Sequence, residues 1–193
     1  MKTSTNTRQH LAATAAQLFY STGITASGVD AIVSHAGVSK PTLYSYYHSK
    51  SELVAAALRF QHETRKAMIE TYLEERHHDK PEDRLMAVFD WLEEWSRERG
   101  NRGCAFINAA VELVQAQDEP ARQIIRRHKE WWQTLLRDLA RNAGAKNPES
   151  LAEDLLLLIE GVNARVLITG NSSSVASARK IAGLLLRESQ SER

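Results

Sequence analysis

The sequence predicts an all-α protein in which a small three-helix head is carried on a larger helical body. Three observations lead there. Apolar residues recur at helical spacing almost everywhere. Nine glycines and four prolines in 193 residues are too few for a β protein built on tight turns. No strand pattern or internal repeat competes with the helical one. With 42% apolar and 25% charged residues, the composition is that of a globular chain, neither disordered nor membrane-embedded.

The elements follow in order. Leu11, Ala15, Leu18 and Phe19 share one face of a first helix, and Gly23 is placed to end it. Ser27 reads as the cap of a second helix, with Asp30 as the acidic half of a capping box. Val29, Ile32 and Val33 form its apolar side and Gly37 stops it. Ser39 opens a third short helix, whose first turn tolerates Pro41 because no intrahelical amide bond is needed there. That helix ends near Tyr47 and His48. A long helix then starts at Ser49 or Ser51, runs through Leu53, Ala57, Phe60, Met68 and Tyr72, and fades around His77 to Lys80. Pro81, Pro120 and Pro148 each sit where proline helps a helix begin, with Asp118 and Asn147 as caps. Helices are expected at 81–98, 104–117, 119–143, 148–169 and 173–188, with loops at 100–103 and 171–174. About nine helices result in total.

Several function classes lose their footing on composition. Cys104 is the sole cysteine, which removes any internal disulfide framework and any zinc site built on several cysteines. The N-terminus shows no apolar secretory core. The greasiest stretch, Leu155 to Ile168, is interrupted by Glu160, Asn163 and Arg165 well short of a span. A soluble, cytoplasmic protein with no membrane partner is expected. His77-His78-Asp79 offers metal-ligating groups, but in adjacent loop positions that rarely converge on one ion. Glu74-Glu75 and Glu93-Glu94 lie on charged helix faces. With no nucleophile elbow, P-loop or H-E-x-x-H, no cofactor, metal or enzymatic activity is expected.

The net charge of +1 conceals an asymmetry. Residues 1–50 hold Lys2, Arg8, Lys40 and Lys50 against Asp30, a balance of +3 that leaves −2 for the rest. A basic head suits a module that faces nucleic acid. Residues 28–47 have the layout of a helix-turn-helix, a helix, a turn at Ala36-Gly37-Val38 and a second helix from Ser39. Leu43 and Tyr47 face inward, while hydroxyls, a lysine and tyrosines point out. Such groups at a helix N-terminus suit phosphate oxygens and base edges. Lys50, ahead of the next helix, adds a cation beside that helix's N-terminal dipole. The DNA-facing set is therefore Ser27, Ser39, Lys40, Pro41, Thr42, Tyr44, Tyr46 and Lys50. Against this stands a plainer reading. Helix-turn-helix geometry also serves as a buried packing turn in proteins that never meet DNA.

The segment Ala36-Gly37-Val38-Ser39-Lys40-Pro41-Thr42-Leu43-Tyr44-Ser45-Tyr46-Tyr47-His48-Ser49-Lys50 resembles the signature of the TetR/AcrR transcriptional regulators, A-G-V-S-K-G-T-L-Y-x-Y-F-x-S-K. Pro41 replaces the usual glycine or alanine and removes an amide that would bind phosphate; Tyr47 replaces phenylalanine. The resemblance implies a head over residues 5–65 that binds double-stranded DNA at a palindromic operator. It also implies a body over 66–193 that binds a small-molecule effector and pairs the chain as a homodimer. The expected reading is a repressor released by its effector. The alternatives are a helical binding protein or enzyme that keeps the head only as a packing unit, or a thiol-based sensor of electrophiles or oxidants.

Within the body, Leu155, Leu158, Ile159 and Val162 with Ala178, Ile181, Ala182 and Leu185 are expected to form the dimer bundle. Their other reading is the core of a single subunit. An effector pocket is expected from Trp91, Trp95, Phe106, Trp131 and Trp132, aromatics that would otherwise simply pack the core. Cys104, Asn108 and Glu112 join that set, spaced four apart on one helix face in a segment that looks like the G-C-x-x-x-N-x-x-x-E pattern of a branch of the same family. Cys104 at a helix start has the setting of a reactive thiol; as a small buried residue it has the setting of packing.

Overall fold

The computed structural model of the chain describes residues 2–76, 79–98, 102–114 and 118–191, with side chains from residue 6 onward. Among the described residues there are nine helices and no strand. They are α1 (Lys2–Thr22), α2 (Val29–Ala36), α3 (Lys40–Tyr46), α4 (Lys50–Glu75), α5 (Pro81–Glu98), α6 (Ala105–Glu112), α7 (Glu119–Asn142), α8 (Pro148–Thr169) and α9 (Ser173–Ser191).

Local chemistry sets most of the boundaries. The N–H of Gly23 donates to the Phe19 carbonyl at 3.0 Å and closes α1. Gly37 takes the left-handed conformation, φ 65°, and ends α2 with paired bonds, Gly37 N–H to Ser34 and Val38 N–H to Val33. Ser39 caps α3 by accepting from the Thr42 amide, Asp118 caps α7 through the Ala121 amide, and Asn147 caps α8 through the Ser150 amide. At α4 the Ser49 hydroxyl accepts from the Glu52 amide, while the Glu52 carboxylate accepts from the His48 amide, a close relative of the capping box.

Three boundaries depart from expectation. The cap of α2 is Gly28, in extended conformation and with no side-chain bond. Ser27 is turned inward, 1% exposed, and its hydroxyl donates to the Gly23 carbonyl at 2.6 Å. A short hydroxyl side chain bonds whichever backbone group lies nearest, and here that is the preceding turn. Helix α6 ends at Glu112, earlier than the expected 117; residues 115–117 lie outside the described residues. Helix α9 continues to Ser191, three residues past the expected end.

The chain divides into two units. The first comprises residues 1–66 and 105–128, so that α6 and the start of α7 group with α1–α3 and the first part of α4. Leu11, Ala15, Ile32, Leu43 and Leu53 are fully buried in it. Each buried leucine-sized side chain contributes about 1.5–3 kcal/mol. Polar pins add to the apolar core. His10 Nε2 lies 3.1 Å from the Ala36 carbonyl, the Tyr47 hydroxyl donates to the Arg8 carbonyl at 2.9 Å, and Gln61 Nε2 donates to the Ala16 carbonyl at 2.9 Å. The second unit, residues 67–104 and 129–193, packs α5, α8 and α9 with the later parts of α4 and α7. Leu85, Val88, Phe89, Leu136, Ala152, Leu155, Val175 and Ala182 are fully buried there. The Arg179 guanidinium bonds both Asp90 oxygens, at 2.7 and 3.3 Å, and ties α9 to α5.

Among the described residues no helix is long and apolar enough to cross a membrane. No group of three His, Cys, Asp or Glu side chains among them is placed to hold a metal ion. His77 and His78 lie outside the described residues, as does Gly100.

Candidate nucleic-acid interface

The candidate interface is the outer face of α3 with the start of α4. Leu43 and Tyr47, buried at 0% and 2%, hold α3 down. What remains outward is polar: Ser39, Lys40, Pro41, Tyr44 and Ser45 are exposed, and Thr42, Tyr46 and Lys50 are half-buried. Seven of the eight expected contact residues therefore lie on or near the accessible surface. Ser27 does not, because its hydroxyl is buried and already donates inward. Lys40 is tied to Asp30 in the first turn of α2 by a 2.8 Å ion pair. The bond and charge of Asp30 raise the lysine pKa, so the ammonium stays charged throughout the neutral range. The pair is solvent-exposed and hence a loose tether, one that a phosphate could displace. Spacing alone did not reveal it, since Asp30 and Lys40 lie on different helices.

A second feature of this unit is not visible in the sequence pattern. The Glu112 carboxylate, at the end of α6, accepts from the Thr25 amide at 2.8 Å. It also lies 3.2 Å from where a Cβ on Gly23 would stand. Gly23, at φ +101°, gives the carboxylate room to reach the turn between α1 and α2. Asn108 and Glu112 border a small cleft in this unit with Phe19, Tyr20, Ile24 and Gln61. Phe106 is buried and stacks on the His128 ring at 3.6 Å.

The expected effector residues are divided between the two units. Asn108, Glu112 and Phe106 belong to the first unit; Trp91, Trp95, Trp131 and Trp132 belong to the second. In the second unit, Trp91 and Trp95 stack at 6.0 Å, and Trp132 contacts Trp91 at 6.0 Å and Trp131 at 5.0 Å. Trp91 and Trp95 border a groove of about 400 Å³ formed with Met68, Tyr72, Glu75, Glu94 and Glu98. Of these α5 residues, 91, 94, 95 and 98 repeat at i, i+3, i+4 and i+7, so the face was legible in principle. Its partner face on α4 was not. Cys104 lines neither space and is buried at 9% exposure, the setting of a packed small residue.

The expected dimer stripe needs correction. Leu155, Ile159, Val162, Ala178 and Ala182 are 0–5% exposed within a single chain, so they build its own core. Leu158 and Leu185 are half-buried against that core, and Ile181 is exposed at 44%. The apolar surface left over lies on the opposite side of α8, at Leu157, Gly161, Ala164 and Ile168, and on α9 at Ile181 and Leu184. Leu157 and Ile168 are 62% and 81% exposed. Apolar residues recur on more than one face of α8, and sequence alone cannot say which stripe meets the core.

Residues 11–57 match the family model described as bacterial regulatory proteins, tetR family; residues 81–182 match the one described as tetracyclin repressor-like, C-terminal domain. The HTH-type transcriptional activator FasR of Mycolicibacterium smegmatis is 44% identical over 52 residues, 27% of this chain and 24% of that protein. The match thus spans about a quarter of the length of that curated relative. Among solved structures, a TetR-family transcriptional regulator from Streptomyces coelicolor superposes with a TM-score of 0.86 at 24% identity, over 96% of this chain and 97% of that one. A TetR transcriptional regulator from Chloroflexus aurantiacus gives 0.84 at 21% identity, over 97% and 98%.

Proposed function

The chain belongs to the TetR family of bacterial regulatory proteins, and from that premise we propose that it is a homodimeric, DNA-binding transcriptional regulator that represses from a palindromic operator and is released by a small-molecule effector. The observation that carries the reading is the outer face of α3, where a buried Leu43–Tyr47 pair leaves Lys40, Tyr44 and Ser45 turned to solvent on a capped helix. Two such helices in one dimer enter successive major grooves about 34–36 Å apart, or further on longer sites. The exposed apolar stripe on α8 and α9 supports the pairing. The effector acts by population shift, so it binds the operator-incompetent form of the dimer more tightly than the competent one.

A mobility-shift titration with the DNA upstream of the chain's own gene tests this. Wild-type protein forms a discrete, salt-sensitive complex. Lys50→Ala weakens binding to operator and random DNA alike and lowers the salt slope by about one unit per subunit contact. An unchanged slope removes Lys50 from the interface. Absence of any complex removes the reading itself. Deleting the gene should raise expression from that upstream region; a fall would make the protein an activator, as FasR is described.

A further inference from the structure

The groove between the later part of α4 and α5 combines two chemistries seldom placed together without a reason. Its walls are aromatic. Tyr72 comes from α4, and Trp91 and Trp95 from α5, the two indoles stacked at 6.0 Å with an interplanar angle of 15°. Its rim is acidic, with Glu75 from α4 and Glu94 and Glu98 from α5. At about 400 Å³ it lies in the size range of sites for small organic ligands.

The chain's own Arg76 already shows what the site attracts. Its guanidinium bonds the Glu94 carboxylate at 2.8 Å and stands 4.1 Å from the centroid of the Tyr72 ring. The Tyr72 hydroxyl donates to the same Glu94 oxygen at 3.1 Å. A cation is therefore held between a ring face and a carboxylate, drawn by the aromatic quadrupole on one side and by fixed negative charge on the other. Burial, with the bond and charge of Glu94, pushes the Tyr72 pKa up to about 12, which keeps the phenol a neutral donor at physiological pH. Arg76 balances only one of the three carboxylates. Among the described residues, Glu75 and Glu98 have no ion-pair partner, and both are exposed on the rim.

We propose that this groove binds an amphipathic organic cation, an ammonium, guanidinium or phosphonium ion carried on an apolar body, and that this is the effector class of the regulator. The apolar body lies against Trp91 and Trp95, and the charge sits between the Glu75 and Glu98 carboxylates. Anions are repelled by the rim. Neutral analogues of the same shape forgo the charge pairing and bind more weakly. The assignment of effector class rests on the regulator reading above; the binding itself does not.

Calorimetric titration of the full-length protein tests both parts. The probes are tetraphenylphosphonium, tetraphenylborate of equal size and opposite charge, and benzyltrimethylammonium as a smaller cation. At least one cation binds with saturable heat and quenches tryptophan emission, and tetraphenylborate does not. Glu75→Gln combined with Glu98→Gln, both surface positions, weakens cation binding about tenfold. Arg76→Met frees Glu94 and the Tyr72 face, and strengthens cation binding several-fold; a purely structural Arg76 would give no gain. In a mobility shift, the bound cation dissociates the wild-type operator complex at concentrations that leave the Gln double variant on DNA. If the protein shifts its upstream DNA but neither cation binds better than tetraphenylborate, the groove assignment falls and the regulator reading stands. The groove assignment falls equally if the double variant binds cations as wild type does. If the cations bind selectively and the protein engages no DNA, the regulator reading falls and with it the effector role, while the cation site stands.

Discussion

At Gly103 the backbone sits at φ +66°, and a Cβ there would stand 2.3 Å from the Asn163 carbonyl oxygen. Gly103→Ala therefore meets both a left-handed backbone and a clash with backbone that cannot swing away, for a cost of about 3 kcal/mol. Urea unfolding should show it, and a loss below about 1 kcal/mol would mean that the segment relaxes away from α8. A different kind of residue-scale effect comes from His62 and His128, buried with their Nδ1 atoms 3.0 Å apart, so that one ring must donate and the other accept. Burial is the main cause that lowers the His62 pKa; Glu63 opposes it, and Arg127 and Lys66 add to it. The unfolded chain then takes up a proton that the folded chain resists. Stability is full above the unfolded value of about 6.5 and falls as pH drops through it toward the folded pKa. Unfolding free energies measured between pH 7.5 and 5 should decline, and less steeply in His62→Asn, whose amide offers a neutral stand-in for Nδ1. Equal slopes in the two proteins would place the pH dependence elsewhere.

Helix α3 has seven residues, too few to be stable alone, so its cap matters more than in a long helix. Ser39→Ala leaves the Thr42 amide without its acceptor and should cost about 1 kcal/mol in unfolding experiments. Operator binding should weaken as well. Ser39→Asp separates the two roles: the carboxylate restores the cap and stability, but repels phosphate and leaves operator affinity low. Recovery of full affinity in Ser39→Asp would show that Ser39 serves α3 only as a cap. Much at this scale was legible in the sequence. Gly37, Ser39, Asp118 and Asn147 mark boundaries because their chemistry is local. Ser27 misled for the same reason. A serine can bond forward into a helix or back into a turn, and only the path of residues 23–28 decides.

For the whole molecule, the exposed stripe at Leu157, Ile168, Ile181 and Leu184 is where a second copy is expected to pack. Leu157→Arg should leave each chain folded, because the side chain is already 62% exposed, yet yield monomers in sedimentation and abolish operator binding. Ile159→Arg, two residues away and 2% exposed, should instead unfold the chain, as a buried unpaired charge costs about 3–5 kcal/mol. A folded dimer of Leu157→Arg would put the interface on another face.

The sequence by itself determined the helical class, the boundaries at Gly37, Ser39, Asp118 and Asn147, and the surface of α3, because these follow from side chains acting on their own backbone within a few residues. It also carried the family signature across the turn at Gly37. The tertiary structure alone decided which side of α8 is core and which is left bare. It also decided that Glu112 reaches the Thr25 amide, that Asp30 holds Lys40, and that Trp91 and Trp95 face Tyr72 across an acidic rim. Each of these joins residues from different helices. Periodicity gives the direction of a side chain around its own axis, but the partner it meets depends on how two helices are brought side by side.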